Sequence, residues 1–164
     1  MVYEHSSVND SLYPGLEINK DSWFRLWSMS KIVTISLAMD LVEDRIISLE
    51  EEVIKYIPEF SEPKIAQLPD GTHPTQVSWD QAGNIPCPLT LVPATRQMTI
   101  ADLIHHKAGF YYPWTNIKCL DSIWISMDLN SAKNSRELIH LLKDMPLVQE
   151  PGTTYYYGLN TTVL

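Results

Sequence analysis

The chain has 164 residues, of which 45% are hydrophobic, 20% charged and 10% aromatic, the balance of a soluble globular chain rather than a disordered one. Twelve basic against 20 acidic residues give a net charge of −8, and no Lys/Arg cluster is present to neutralise phosphates. This argues against nucleic acid and anionic membrane surfaces as partners.

No apolar run approaches the roughly 18 residues that a bilayer-spanning helix needs. The start, Met1-Val2-Tyr3-Glu4-His5, lacks the basic-then-apolar order of a secretory signal, which slightly favours a cytoplasmic location. Cys87 and Cys119 are too few for a disulfide framework, and their spacing is not that of a zinc site. Cys87, between Pro86 and Pro88, reads as an inert loop cysteine.

Residues 1–22 are polar and irregular, with a turn at Tyr13-Pro14-Gly15. Residues 23–27 are aromatic-rich and read as a short strand. A helix is expected over 29–43. From Ile32 to Val42 only Thr34, Ser36 and Asp40 are polar, so this helix should be buried on nearly all sides. Ser48 and Glu51 form a capping box for a short helix that ends before Pro58. Residues 58–95 hold seven of the 11 prolines and no sustained period, and read as a long ordered excursion. Thr99 and Asp102 open a further helix, expected to reach Lys107 and to stop at Gly109. Residues 110–130 are rich in Tyr and Trp without a clear period. Ser135 to Lys143 is an amphipathic helix with Leu138, Leu141 and Leu142 on one face. A turn at Glu150-Pro-Gly-Thr153 leads into Tyr155-Tyr156-Tyr157, and the residues up to Leu164 read as the start of another helix.

The chemistry-bearing candidates are Ser28, Lys31 and Tyr157. A Ser and a Lys three apart at a helix start share one face. The helix N-terminus favours a developing oxyanion, and its field together with burial favours a neutral Lys31 able to accept the serine proton. Taken alone, Ser-x-x-Lys is a weak signal and a helix cap explains it as well; its place at the head of an apolar helix raises it. Tyr157 could relay protons beside a lysine, or be an ordinary core-edge tyrosine. Adjacent His105 and His106 cannot chelate as an i, i+4 pair and read as structural or surface residues. Glu50-Glu51-Glu52 complements the helix dipole. Tyr111, Tyr112, Trp114 and Trp124 line a pocket or fill a core.

In order, four segments resemble the serine β-lactamase-related family: class C β-lactamases, D-alanyl-D-alanine carboxypeptidases and family VIII-type esterases. They are Phe24-Arg-Leu-Trp-Ser-Met-Ser-Lys31 with its helix, Ser48 to Phe60, Met98-Thr-Ile-Ala-Asp-Leu-Ile-His-His-Lys-Ala-Gly-Phe110, and Glu150-Pro-Gly-Thr-Thr-Tyr-Tyr-Tyr-Gly158. The resemblance implies an α+β, β-lactamase/transpeptidase-like fold, of which 1–164 would hold mainly the helical subdomain and a small part of the antiparallel sheet. It implies Ser28 as acylated nucleophile, Lys31 as its general-base partner and Tyr157 as proton relay, acting on small esters or amides with no metal or organic cofactor.

The sequence departs from the family at Tyr157-Gly158-Leu159, where Tyr-Ser-Asn or Tyr-Ala-Asn is common, and at Ala108, where Ser is common. The family's third motif is not found in 1–164. The chain is therefore expected to be a fragment, inactive and marginal in stability alone. A catalytically inactive remnant serving as a binding module is the alternative, and transfer of the acyl group to an acceptor other than water is a third reading.

Overall fold

The computed structural model describes residues 5–164, which fall into two units, Met1–Ser30 and Lys31–Leu164. The first unit is a succession of turns. Asn9 accepts the amides of Leu12 and Tyr13 through its carbonyl at 3.0 and 2.9 Å, and Ser22 closes a turn on Asn19. Residues 23–27 do not form the expected strand. They find no partner strand among the described residues, Trp23 is 99% exposed, and Trp27 turns to a left-handed φ of 49° to open a 3₁₀ turn, Trp27–Met29. A strand needs a neighbour to take up its backbone groups.

Helix α1 (Ser30–Glu43), of which all but Ser30 belongs to the second unit, lies within one residue of the expected span. Its burial is not as expected. Only Ala38 is buried, while Ile32, Val33 and Leu37 are each more than half exposed. An all-round apolar helix needs cover on every side, and here one side alone has neighbours. Those neighbours, Val53, Ile57, Ile100 and Leu103, leave an apolar cavity of about 390 Å³ against Leu37, Ala38 and Leu41.

After α1, Glu51 accepts the Ser48 amide at 3.1 Å, as half of a capping box, but the chain then makes only a single 3₁₀ turn, Val53–Lys55. The proline-rich stretch contains more than a loop. Strands β1 (Lys64–Gln67) and β2 (Thr90–Pro93) pair antiparallel, Ile65 opposite Val92. Leu147 adds to the other edge of β1 by a parallel bridge. Between the strands lies the short helix α2 (Trp79–Ala82). Strands of four residues among prolines carry no readable period, so long-range pairing rather than pattern defines them.

Helix α3 (Ile100–Ile104) has the expected box: Thr99 Oγ1 accepts from Asp102 N at 3.3 Å and Asp102 Oδ2 from Thr99 N at 2.9 Å. It ends before Lys107 because His106 takes a left-handed φ of 54°. Gly109 (φ 97°) does not stop the helix but lets two chain segments approach, since a Cβ there would lie 2.9 Å from the Gln149 carbonyl oxygen. Helix α4 (Lys118–Ser126) occupies the stretch without a period. Helix α5 (Ser135–Leu142) matches its amphipathic pattern, and α6 (Asn160–Val163) is the last. The core is built from Val53, Phe60, Ile65, Met98, Leu103, Phe110, Tyr111, Leu120 and Leu147. Phe60 meets Phe110 edge to face at 5.6 Å.

Cys87 is not an inert loop cysteine. It is bonded to Cys119, with Cα atoms 5.8 Å apart across 32 residues, because the first turn of α4 comes up against the proline loop. Such a bond is preserved in an oxidising compartment and reduced in the cytosol. Its reduction should cost about 4 kcal/mol through the freed loop entropy. Thermal denaturation with and without reductant should show a drop of about 10 °C. A non-reducing peptide map should show the two cysteine peptides joined.

Candidate active site

Three chain segments build the site in the second unit. Lys31 comes from the first turn of α1, Tyr112 from the stretch after Gly109, and Tyr157 from the stretch before α6. Tyr111 and Tyr112 are chain neighbours outside any helix or strand and meet different surroundings. Tyr111 is fully buried and donates to the Leu120 carbonyl at 3.0 Å; burial raises its hydroxyl well above the ordinary value and leaves it protonated. Tyr112 faces Lys31.

The Lys31 Nζ lies 3.5 Å from the Tyr112 hydroxyl, 5.9 Å from that ring's centre and 5.1 Å from the centre of the Tyr157 ring. The two tyrosine rings are 5.7 Å apart, and Trp114 backs Tyr112 at 5.0 Å. The ammonium therefore sits over two π faces. Burial is the largest single influence on Lys31 and pushes it down. The Tyr157 hydrogen bond, with the charge and hydrogen bond of Tyr112, together outweigh it and leave the amine above its ordinary value. This corrects the expectation of a neutral Lys31: two phenols facing the amine favour its charged form.

Ser28 lies in the first unit, in the 3₁₀ turn Trp27–Met29, exposed and three residues before Lys31 in the chain. The structure thus brings together Lys31 and Tyr157 of the expected residues and adds Tyr112, left open between pocket and core by the sequence. It also adds His106, whose ring lies 4.9 Å from that of Tyr157. His106 is 7% exposed; burial first, then the charge of Lys31, lower its pKa. A histidine depressed in the folded state contributes stability that is present above the unfolded value of 6.5 and is lost as pH falls through the folded value. His106 is therefore expected to steepen the loss of denaturation midpoint below pH 6.5. Urea titrations of wild type and His106→Asn at successive pH values read this as a difference in slope.

The segment carrying Tyr157 is anchored at its start. Arg96 donates to the Pro151 carbonyl at 2.7 Å and pairs with buried Asp102 at 2.5 Å, while Glu150 accepts the Thr95 amide. A Cβ on Gly152 would lie 1.9 Å from Arg96 Nη2, so the Pro-Gly-Thr turn is moulded on that guanidinium. Arg96→Ala leaves Asp102 without its cation and should destabilise by about 2 kcal/mol, read from the urea midpoint.

Among the described residues no cluster of metal-ligating side chains is present and no helix is long and apolar enough to cross a membrane.

A sequence model of the beta-lactamase family matches residues 2–164. Acyltransferase calJ of Penicillium decumbens is 26% identical over 160 residues, which are 96% of this chain and 34% of that protein. Protein Rv1367c of Mycobacterium tuberculosis is 26% identical over 150 residues, 92% of this chain and 33% of that one. The unliganded simvastatin synthase (LovD) of Aspergillus terreus superposes with a TM-score of 0.57 at 21% identity, over 85% of this chain and 30% of its own. The chain spans about a third of the length of the curated relatives it matches. Its mostly helical build with a small antiparallel sheet is a β-lactamase/transpeptidase-like fold, and the family match runs nearly end to end. The chain belongs to the beta-lactamase family.

Proposed function

We propose that the chain is the N-terminal part of a larger acyl-serine enzyme acting on small esters or amides, with Ser28 as nucleophile and Lys31 and Tyr157 as its proton-handling pair. The observation that carries this is the ammonium of Lys31 held over Tyr157 and Tyr112 at the head of α1. In this reading Ser28 Oγ attacks the acyl carbonyl and its proton passes to the Tyr157 oxygen, whose ionised form the Lys31 charge favours. The same proton goes to the leaving group, and an acyl-Ser28 ester remains. A second nucleophile then attacks that ester, gives its proton to the pair, and Ser28 Oγ takes a proton back.

The second nucleophile is water in a hydrolase and an alcohol or amine in a transferase. That calJ is an acyltransferase supports transfer beside hydrolysis. The rest of the domain would cover the exposed sides of α1 and complete the substrate pocket. A fluorophosphonate probe tests the reading. The full-length protein should be labelled at Ser28, and Ser28→Ala should abolish the labelling. Absence of labelling in the full-length protein would leave a binding module without acyl chemistry. Adding an alcohol during turnover of a p-nitrophenyl ester separates the two outcomes: transfer gives a new ester, hydrolysis only acid.

A further inference from the structure

The grip of His106 on the segment 155–160 is unusual in using both its main chain and its ring. Its carbonyl accepts the Tyr156 amide at 2.8 Å, and its left-handed backbone aims the ring at the turn beyond. Nδ1 lies 3.5 Å from the Gly158 amide nitrogen and 3.3 Å from Asn160 Nδ2. The orientation of Asn160 is set independently. Its Nδ2 faces the Phe110 and Tyr156 carbonyls at 3.5 and 3.4 Å, which only accept, and the residue is fully buried. The Gly158 amide can only donate. The Gly158 amide therefore requires a lone pair on Nδ1, beside which the Asn160 amide nitrogen also lies, so the proton of the neutral ring belongs on Nε2.

We infer that His106 is a positioning residue for Tyr157, a neutral imidazole whose Nδ1 lone pair holds the turn 157–160 and thereby the phenol against Lys31. This rests on the reading of Tyr157 as a proton carrier. The ring of Tyr157 stacks on the same imidazole at 4.9 Å. The groups facing His106 are Lys31 from α1 and Tyr155 and Tyr157 from the turn segment, with Tyr112 across Tyr157. The Lys31 cation opposes a second positive charge. Protonation of Nδ1 would set an N–H against the Gly158 N–H, and the turn would lose its anchor.

Asn and Gln substitutions separate this role from mere filling of space. The Asn Oδ1 falls near the place of Nδ1, and Asn tolerates a left-handed backbone; the Gln Oε1 falls near Nε2. Fluorophosphonate labelling of Ser28 in the full-length protein is the readout. His106→Ala and His106→Gln should slow labelling by about 10- to 100-fold, and His106→Asn should restore most of the rate. The wild-type rate should fall with acid through the His106 titration, and that step should be missing in His106→Asn. Equal rates for Asn and Gln variants, or a wild-type rate for His106→Ala, overturn the inference. Nitrogen-15 NMR of the wild type decides it even where no probe reaches Ser28 or a variant does not fold. A neutral ring protonated on Nε2 that persists below pH 6.5, with Tyr157 ring signals moving as it titrates, supports the role. A ring protonated on Nδ1, or one that titrates without moving Tyr157, overturns it.

Discussion

Tyr157→Phe should slow acylation of Ser28 by about 10²–10⁴-fold while leaving the fold intact. The ring keeps its contacts with His106 at 4.9 Å and Tyr112 at 5.7 Å, so packing is unchanged and only one oxygen is lost. That oxygen is the proton's destination in the proposed chemistry. It is also the first of the influences that raise Lys31, ahead of both contributions from Tyr112. Without it, burial has less to oppose it and the amine should titrate at lower pH. The two consequences are separately measurable: a reduced plateau rate of ester turnover, and an alkaline limb displaced toward neutral pH. A plateau rate equal to wild type would remove Tyr157 from the mechanism. Tyr112→Phe should shift the alkaline limb in the same direction with a smaller loss of rate, since Tyr112 acts on Lys31 without carrying the proton.

The largest effect on stability is expected at Gly158. A Cβ there would sit 2.0 Å from the Phe110 carbonyl oxygen and 2.8 Å from the Tyr111 Cα, both main-chain atoms that no rotamer change can move. Gly158→Ala must push apart the turn and the main chain at 110–111. That separates the Gly158 amide from His106 Nδ1 and opens the core at Phe110 and Tyr111, both nearly fully buried. A loss of about 3–5 kcal/mol is expected, with acylation abolished. Gly83→Ala is the control. Its Cβ would meet only the end of the Asn116 side chain, at 3.3 Å, so the urea midpoint should change by less than about 1 kcal/mol. This contrast also explains the departure at Tyr157-Gly158: the serine or alanine common in the family at that place would not fit this main-chain geometry.

Legibility in the sequence followed the range of the interaction. Helices α1, α3 and α5 were readable because composition, period and caps act within a few residues: the apolar run of α1, Thr99 with Asp102 at α3, and Leu138, Leu141 and Leu142 on one face of α5. Strands β1 and β2 were not, since Ile65 and Val92 pair across 26 intervening residues and four-residue strands show no period. The disulfide was hidden for the same reason, with Cys87 and Cys119 joined only once α4 docks on the proline loop. In the site, Lys31 and Tyr157 stood out through the segments around them. Tyr112 and His106 did not, because 110–130 carries no readable period and adjacent His105 and His106 read as structural or surface residues.

By itself the sequence determined the residue types at the head of α1, the capped helices and the family, all properties of neighbouring residues or of short ordered segments. Only the tertiary structure decided the charge state that Lys31 favours, because two phenols 81 and 126 positions away along the chain face its amine. It also decided which faces of α1 are covered. Hydrophobicity creates the demand for burial, but meeting that demand depends on what the folded chain brings alongside.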